Sequence, residues 1–319
     1  MIIVAALVLV CSAAILAKSA DLAIRSIIEL ARRRQWSEFL IGFVVLGLAT
    51  SLPELTIATQ SVISDAIALG VGTLIGASLA LLTLVLGIAV VYNNGLTLSD
   101  EMRRHDVLWM SLLIVAPLVF LLDGTFSRAD TAIFVVLYGL YIWHFATRHS
   151  FIIEYCAIEA NQQKLSVILL TGGTGLIGLI VSSKILVKTA LLLADGLNLS
   201  EGIIGLVVLG VITNLPELSL ALAALRHHHQ GIVFGDLLGS AAGNSLILAL
   251  MALVAPVRFD TLSSLMSVGF GLLLTAVLLN FLLYDRRRIS RFYGLGLILY
   301  YCAFSLLTLI AVRYPYGAS

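Results

Sequence analysis

The chain has 319 residues, of which 60% are hydrophobic and only 12% are charged, and its mean hydropathy is +1.08. Soluble globular proteins carry about 25% charged residues, so this chain lacks the polar surface that a water-soluble fold requires. Its 19 basic and 18 acidic residues give a net charge of +1, which indicates no polyanionic partner. Composition therefore excludes a cytosolic enzyme, a nucleic-acid binder and a disordered scaffold.

Ten stretches of the sequence are long and apolar enough to cross a membrane, since a helical span needs about 20 mostly apolar residues. In chain order they lie at 2–24, 37–60, 66–92, 107–122, 129–147, 165–188, 200–224, 231–255, 265–284 and 292–312. The first has no Lys or Arg before Lys18, so it is assigned as a span rather than a signal peptide. The sequence predicts an all-α polytopic membrane protein whose longest polar connection is 148–164.

Basic residues predict the orientation of the chain, because loops on the cytoplasmic side are enriched in Lys and Arg. If the N-terminus is outside, 14 of the basic residues lie on the inner side of the membrane and 5 on the outer side. This bias predicts that both termini are outside and that the loop 148–164 is cytoplasmic.

Two segments of the chain repeat one another. Residues 37–57 read SEFLIGFVVLGLATSLPELTI and residues 200–220 read SEGIIGLVVLGVITNLPELSL, with 13 of 21 positions identical at an offset of 163 residues. The match indicates a duplication. Each half holds five predicted spans, and because five is odd the second half enters the membrane from the opposite side. The sequence thus predicts two inverted five-helix repeats, 1–147 and 165–319, joined by 148–164, with an ion or substrate site near the midplane, as in transporters.

One acidic residue lies deep inside a predicted span of each half. Glu54 is about 17 residues into the second span by this assignment, and Glu217 is its repeat mate in the seventh. A carboxylate at bilayer depth is costly unless it is paired or faces a cavity, and no Lys or Arg lies within a few turns on either helix. The missing positive charge is either a bound metal cation or a proton. The alternative is a protonated Glu that only hydrogen-bonds between helices.

A proline precedes each of these glutamates. Pro53 and Pro216 each remove one helical hydrogen bond, which frees the carbonyls of Ala49 and Ile212. In lipid a freed carbonyl needs a partner, and hard cations bind such oxygens. Further oxygens lie within one turn of each carboxylate, on Thr50, Ser51, Thr213 and Asn214.

The third and eighth spans supply the other side of the predicted site. Asp236, Ser240 and Asn244 follow one another at intervals of four residues and therefore form one polar stripe. Asp236 either lines the ion pathway or solvates the start of the eighth span. Ser78 and Thr83 lie off the equivalent stripe, and their hydroxyls are expected to bond to carbonyls of their own helix. Small residues that permit close helix approach are Gly72, Gly76, Gly235 and Gly239.

These motifs resemble those of the calcium/cation antiporter superfamily, specifically the prokaryotic sodium/calcium exchangers. That family carries a G-T-S-L-P-E type motif on helices two and seven and a G-N-x-x-G-S type motif on helices three and eight. Here the first motif reads ATSLPE at 49–54 and ITNLPE at 212–217. The resemblance implies that the metal-binding carboxylates are Glu54 and Glu217. It implies hydroxyl ligands at Thr50, Ser51, Thr213 and Ser240, and backbone-carbonyl ligands at Gly47 and Gly210.

The chain also departs from this family pattern. Ala77 and Leu81 replace the Ser and Asn expected in the first repeat, and Asn244 replaces the usual Asp in the second. Asn214 stands opposite Ser51 in the repeat, and Asp236 stands where the family has Asn. Several ligands for monovalent ions are thus weakened or lost, while the carboxylate pair remains.

The resemblance implies a secondary active antiporter that exchanges Ca2+ for Na+ by alternating access, in a prokaryotic inner membrane. The alternative is an H+-coupled exchanger of Ca2+, Mn2+ or Mg2+, because a Glu pair can bind either a divalent cation or protons. An intramembrane enzyme is disfavoured, since the sequence contains no GxSG or HExxH motif. A passive channel is disfavoured by the inverted repeats. We expect no cofactor and no obligatory protein partner; the partners are small cations and the bilayer.

Overall fold

The computed structural model describes residues 2–33, 50–97, 104–148, 164–226, 230–255, 257–258, 271–277 and 288–313. Within these ranges the chain is almost entirely helical, with four two-residue strands. Six helical segments in the described ranges are long and apolar enough to cross a membrane: Ile2–Ile27, Ile67–Tyr92, Leu165–Leu197, Glu201–Arg226, Val233–Val254 and Arg291–Ile310. The predicted all-α polytopic class agrees with this architecture, whereas the count of ten spans stays a prediction.

The helices of the first half are α1 (Ile2–Arg33), α2 (Leu52–Ile63), α3 (Ile67–Ala80), α4 (Leu86–Tyr92), α5 (Arg104–Phe120) and α6 (Arg128–Arg148). A π-helical turn, Leu81–Val85, joins α3 to α4, so that the third span is continuous. A short 3-10 turn, Leu121–Asp123, extends α5.

The helices of the second half are α7 (Leu165–Leu197), α8 (Glu201–Ile203), α9 (Gly210–Ile212), α10 (Leu215–Arg226), α11 (Gln230–Val254) and α12 (Arg291–Arg313). The seventh span is the most irregular of them. A π-helical segment, Ile204–Leu209, joins α8 to α9, and a turn at Thr213 and Asn214 separates α9 from α10. Residues 271–277 are also helical.

The first and sixth spans are longer than the sequence predicted. Helix α1 continues to Arg33 instead of ending at residue 24, and α7 continues to Leu197 instead of 188. The charges at the predicted span ends are carried on the helices themselves. In α1, Asp21 accepts a 2.8 Å hydrogen bond from Arg25 one turn later, and such pairs stabilise a helix.

Helices α1 and α7 pack together through small and hydroxylated residues. The backbone at Gly175 lies against Ala23, where a Cβ atom would come within 2.7 Å of the Ala23 nitrogen. The hydroxyls of Ser26 and Thr171 share a 2.9 Å hydrogen bond across the pair. Small residues of this kind let membrane helices approach closely.

The third and seventh spans cross at the centre of the fold, where glycines bring their backbones together. A Cβ atom on Gly72 would overlap the Gly202 carbonyl, and one on Gly76 would overlap the Leu206 backbone. A Cβ on Gly210 would lie 2.6 Å from the Gly76 carbonyl carbon. The close-approach role predicted for Gly72 and Gly76 is therefore confirmed.

Gly239 is the repeat mate of Gly76. The repeat places its contact partner within residues 34–49, which lie outside the described residues. No described atom comes within 4 Å of a Cβ atom built on Gly239. Its predicted role in close packing stays a prediction.

Two short strand pairs link the halves. Strands β1 (Leu96–Thr97) and β4 (Arg288–Ile289) pair antiparallel, as do β2 (Thr125–Phe126) and β3 (Val257–Arg258). The repeat offset of 163 residues moves β2 onto β4 and moves β1 to within two residues of β3. Each pair therefore joins the first strand of one half to the second strand of the other.

The glycine crossing predicts how substitutions alter stability. Gly76→Ala should lower the melting temperature of the detergent-purified protein, because overpacking typically costs about 1–3 kcal/mol. Gly139→Ala on α6 is the matched control. A Cβ there meets nothing within 4 Å, so Ala should leave stability unchanged or raise it by about 0.5–1 kcal/mol. Similar melting temperatures for the two variants would contradict the crossing.

Candidate cation site

Four of the predicted site residues form two matching backbone turns. Thr50 and Ser51 form the turn that leads into α2, and Thr213 and Asn214 form the turn that leads into α10. The backbone carbonyl of each turn's second residue accepts the first helical hydrogen bond, from Leu55 in one case at 3.0 Å and from the equivalent residue in the second half at 3.0 Å. A proline in the first turn of each helix favours a break at this position.

Eight of the predicted site side chains are buried, and each has 6% of its surface exposed or less. They are Thr50, Ser51, Glu54, Thr213, Asn214, Glu217, Ser240 and Asn244. The Gly210 backbone is also buried. Gly47 lies outside the described residues, so its predicted role as a carbonyl ligand stays a prediction.

The structure brings site residues of the two halves into contact. The hydroxyls of Thr50 on the second span and Ser240 on α11 share a 3.1 Å hydrogen bond. The Glu54 carboxylate faces the Thr213 hydroxyl of the other half, without a hydrogen bond of standard geometry. The site is therefore shared between the halves and is not two separate pockets.

Several oxygens at this position are buried with no hydrogen-bond donor in the described part of the chain. Both carboxylate oxygens of Glu54 and the Oε2 atom of Glu217 are among them, as are the Thr213 hydroxyl and the side-chain oxygen of Asn244. Burial of an unpaired polar group costs roughly 1–3 kcal/mol in proteins, and burial of an unpaired charge costs more. A cation bound by these oxygens would remove that cost.

Asp236 lies on α11, one helical turn before Ser240. Its Oδ2 atom is buried without a hydrogen-bond partner in the described residues. Its predicted role in the ion pathway stays a prediction. No three His, Cys, Asp or Glu side chains within the described ranges converge as a metal centre, so Asp236 does not complete a three-carboxylate cluster.

One difference between the two halves of the site is the hydroxyl of Ser240. Thr50 has Ser240 as its partner, whereas Ala77 stands at the position that corresponds to Ser240 in the repeat. The matching threonine of the second half, Thr213, is accordingly left without a hydrogen-bond partner among the described residues. The loss of this hydroxyl was evident from the sequence, but its effect on Thr213 required the structure.

Asn214 makes contacts that the sequence did not indicate. Its Nδ2 atom donates to the Gly210 carbonyl at 2.6 Å and to the Ala77 carbonyl at 2.9 Å. Gly210 is one of the predicted backbone ligands, and in this structure its carbonyl already has a donor. The spacing of four residues from Gly210 to Asn214 was the available signal for the first contact; the second crosses between helices.

The polar residues outside the stripe behave as predicted. The hydroxyl of Ser78 donates to the Leu74 carbonyl at 3.1 Å, and that of Thr83 donates to the Leu79 carbonyl. Both bonds are within one helix, four residues back. Asn244 and Ser78 also line a cavity between α3, α5 and α11 that has room for about one water molecule.

A family model described as sodium/calcium exchanger protein matches residues 4–147 and again 167–310. The chain belongs to the sodium/calcium exchanger family. The two matches are displaced by the same 163 residues that relate the repeated motifs. Members of this family are ion exchangers rather than enzymes, and this exchanger is a multi-pass membrane protein.

Curated relatives cover most of the exchanger. It is 31% identical over 270 residues to the inner membrane protein YrbG of Escherichia coli, covering 82% of each chain. It is 25% identical to the sodium/calcium exchanger MaX1 of Methanosarcina acetivorans over an alignment of 349 positions, which covers 95% of this chain and 98% of that one. The putative antiporter CaxA of Alkalimonas amylolytica is 25% identical over 308 residues, covering 91% of this chain and 93% of that one.

Solved structures share the fold of the exchanger. The sodium-calcium exchanger NCX_Mj superposes with a TM-score of 0.66 at 24% identity, covering 98% of this chain and all of that one. The H+/Ca2+ exchanger CAX superposes with a TM-score of 0.75 at 16% identity, covering 98% of this chain and 82% of that one. The fold therefore matches exchangers named for different counter-ions.

The hydroxyl pair predicts a measurable coupling between the halves. Thr50→Val, Ser240→Ala and the double variant form a double-mutant cycle. We expect a coupling of about 0.5–1.5 kcal/mol in unfolding free energy, the net value of a buried hydrogen bond. Additive effects of the two single substitutions would contradict the contact.

Proposed function

We propose that the chain exchanges Ca2+ for Na+ across the membrane as a secondary active antiporter. The observation that supports this most strongly is the pair Glu54 and Glu217, buried at the contact between the halves with carboxylate oxygens that have no described donor. Two carboxylates carry the charge needed to neutralise one divalent cation. Hydroxyl and carbonyl oxygens nearby complete the oxygen-rich surroundings that Ca2+ prefers.

The proposed cycle is alternating access around this pair. The site is built from both halves, so a movement of one half against the other exposes it to one side of the membrane at a time. The sequence repeat supports two inverted five-helix repeats, 1–147 and 165–319, and so do the two strand pairs, each of which joins one half to the other. In this proposal Ca2+ and Na+ compete for the same carboxylates and therefore cross in opposite directions. The transported ions are substrates, and we propose no cofactor.

A second candidate is H+ as the counter-ion, with Ca2+, Mn2+ or Mg2+ as the divalent substrate. Asp236 is the specific observation that favours it, because this further acidic side chain has a buried oxygen without a described hydrogen-bond partner and can carry a proton. The fold similarity to CAX is compatible with this alternative but does not select it.

Proteoliposomes loaded with the purified protein distinguish the two. Uptake of 45Ca2+ is measured with an outward Na+ gradient at equal pH, and then with a pH gradient in Na+-free choline buffer. Uptake driven by Na+ alone supports the first proposal, and uptake driven by the pH gradient alone supports the second. Absence of uptake under both conditions would contradict calcium antiport.

The carboxylate pair gives the sharpest test of the site. Glu54→Gln and Glu217→Gln should each reduce 45Ca2+ exchange by roughly 100-fold, since removal of one charge from a buried ionic contact costs about 2–5 kcal/mol. Glu201→Gln makes the same chemical change at the start of the seventh span, away from the site, and should retain exchange. Wild-type rates in either site variant, with normal folding by size-exclusion chromatography, would remove the proposed site.

We also propose a prokaryotic inner-membrane location with both termini outside. The excess of basic residues on one side, 14 against 5, supports this orientation. Cys156 is a native probe of the loop 148–164, once Cys11 and Cys302 are changed to Ser. It should react with a membrane-impermeant maleimide only from the cytoplasmic side, and Ser319→Cys in the Cys-free chain only from outside. Labelling of both from the same side would contradict an odd number of spans between them.

A further inference from the structure

The amide of Asn214 bridges two backbone carbonyls from different helices. Its Nδ2 atom lies 2.6 Å from the Gly210 oxygen of the seventh span and 2.9 Å from the Ala77 oxygen of the third. An amide NH2 has two hydrogens, so these contacts use its whole donor capacity. Because both neighbours are acceptors, only the nitrogen end of the amide fits there, and its orientation is fixed by chemistry.

The local backbone explains why the Gly210 carbonyl needs this donor. In a regular α-helix it would accept from the backbone N–H of residue 214. The N–H of Asn214 instead bonds to Val211 at 3.2 Å, as the seventh span turns between α9 and α10. The side chain of Asn214 supplies the hydrogen bond that its own backbone does not make.

Two convergent carbonyls inside a membrane protein also suit a cation. Hard cations are held by oxygens. The Ala77 carbonyl already accepts the helical N–H of Leu81, whereas the helical donor of the Gly210 carbonyl bonds to Val211, so the Gly210 oxygen needs another partner in the bilayer interior. Here the positive end of a neutral amide dipole occupies that position. A metal ion and the NH2 group cannot both lie between the same two oxygens.

We propose that the NH2 group of Asn214 replaces a monovalent cation between the carbonyls of Gly210 and Ala77, so that this position binds no ion during transport. The proposal rests on the proposed cation exchange and specifies its ion stoichiometry. The repeat mate of Asn214 is Ser51, whose shorter side chain carries an oxygen and no NH2 group. The substitution therefore makes the two halves unequal in the number of monovalent ions that they can hold.

The other end of the amide remains at the site. The Oδ1 atom of Asn214 is buried and has no hydrogen-bond partner among the described residues. One side chain thus closes a position with its nitrogen and offers a neutral acceptor with its oxygen. Serine or alanine at this position could not do both.

The test is the effect of Na+ on stability, which does not require transport. Melting temperatures of the detergent-purified full chain are measured in NaCl and in choline chloride at equal ionic strength, for wild type, Asn214→Ser and Asn214→Asp. Both substitutions remove the NH2 group, and Asn214→Asp keeps the shape. An added Na+ site stabilises the folded state in proportion to its occupancy, so each variant should show a larger Na+-dependent rise than wild type.

Ser182→Ala on α7 is the control for general destabilisation. Its hydroxyl is buried and donates to the Gly178 carbonyl at 2.6 Å, away from the site. This variant should melt lower in both salts, with the Na+-dependent rise of wild type. Equal Na+-dependent rises in wild type, Asn214→Ser and Asn214→Asp would overturn the proposal, and if Asn214→Ser fails to fold the comparison with Asn214→Asp decides.

Transport supplies the second measurement. In proteoliposomes, the Hill coefficient for Na+ in Na+-driven 45Ca2+ uptake should rise by up to about one in Asn214→Ser, for one added site. An unchanged coefficient, with wild-type uptake intact, would overturn the Asn214 proposal alone. Loss of all calcium uptake in wild type would instead overturn the proposed function, while the stability comparison would still decide the Asn214 proposal.

Discussion

The fold depends on holding two carboxylates, Glu54 and Glu217, in the interior of a membrane protein. Neither can be solvated there by bulk water, and within the described residues their oxygens lack sufficient donors. Among the described residues, the groups that surround the two carboxylates are oxygens and not basic side chains. They are supplied by broken helices, threonine hydroxyls and backbone carbonyls. Such an arrangement is stable with a positive ion present and costly without one, which is the condition for a site whose ion must be exchanged and not simply lost.

Close backbone approach is what allows these groups to meet. Gly72 and Gly76 on the third span face Gly202 and Leu206 on the seventh, with no room for a Cβ atom. Lipid gives helices little hydrophobic reason to associate, so packing and polar contacts must hold the crossing together. The same crossing places the Ala77 carbonyl within reach of Asn214. Helix packing and the chemistry of the site are therefore consequences of one set of glycines.

The sequence predicted the class of fold and the burial of the site because both depend on local patterns. Apolar runs identify spans, and a gap-free repeat identifies paired carboxylates. It misjudged the ends of α1 and α7, since charges such as Lys188 lie on an exposed face and do not end the helix. It did not predict the π-helical segment Ile204–Leu209 or the bridge from Asn214 to Ala77. These depend on which helices cross and at what height, which no single segment encodes.

Departures from the repeat carry more information about this chain than its matches do. The matched residues place one carboxylate of the proposed site in each half. Two of the unmatched ones, Ala77 for Ser240 and Asn214 for Ser51, act in the same direction. The first removes a hydroxyl oxygen beside Thr213, and the second places an NH2 group on the carbonyls of Gly210 and Ala77. In the proposed exchange both changes take oxygens away from monovalent ions and leave Glu54 and Glu217 unaltered, as expected if the duplication diverged in its counter-ion positions while the divalent position kept its charge.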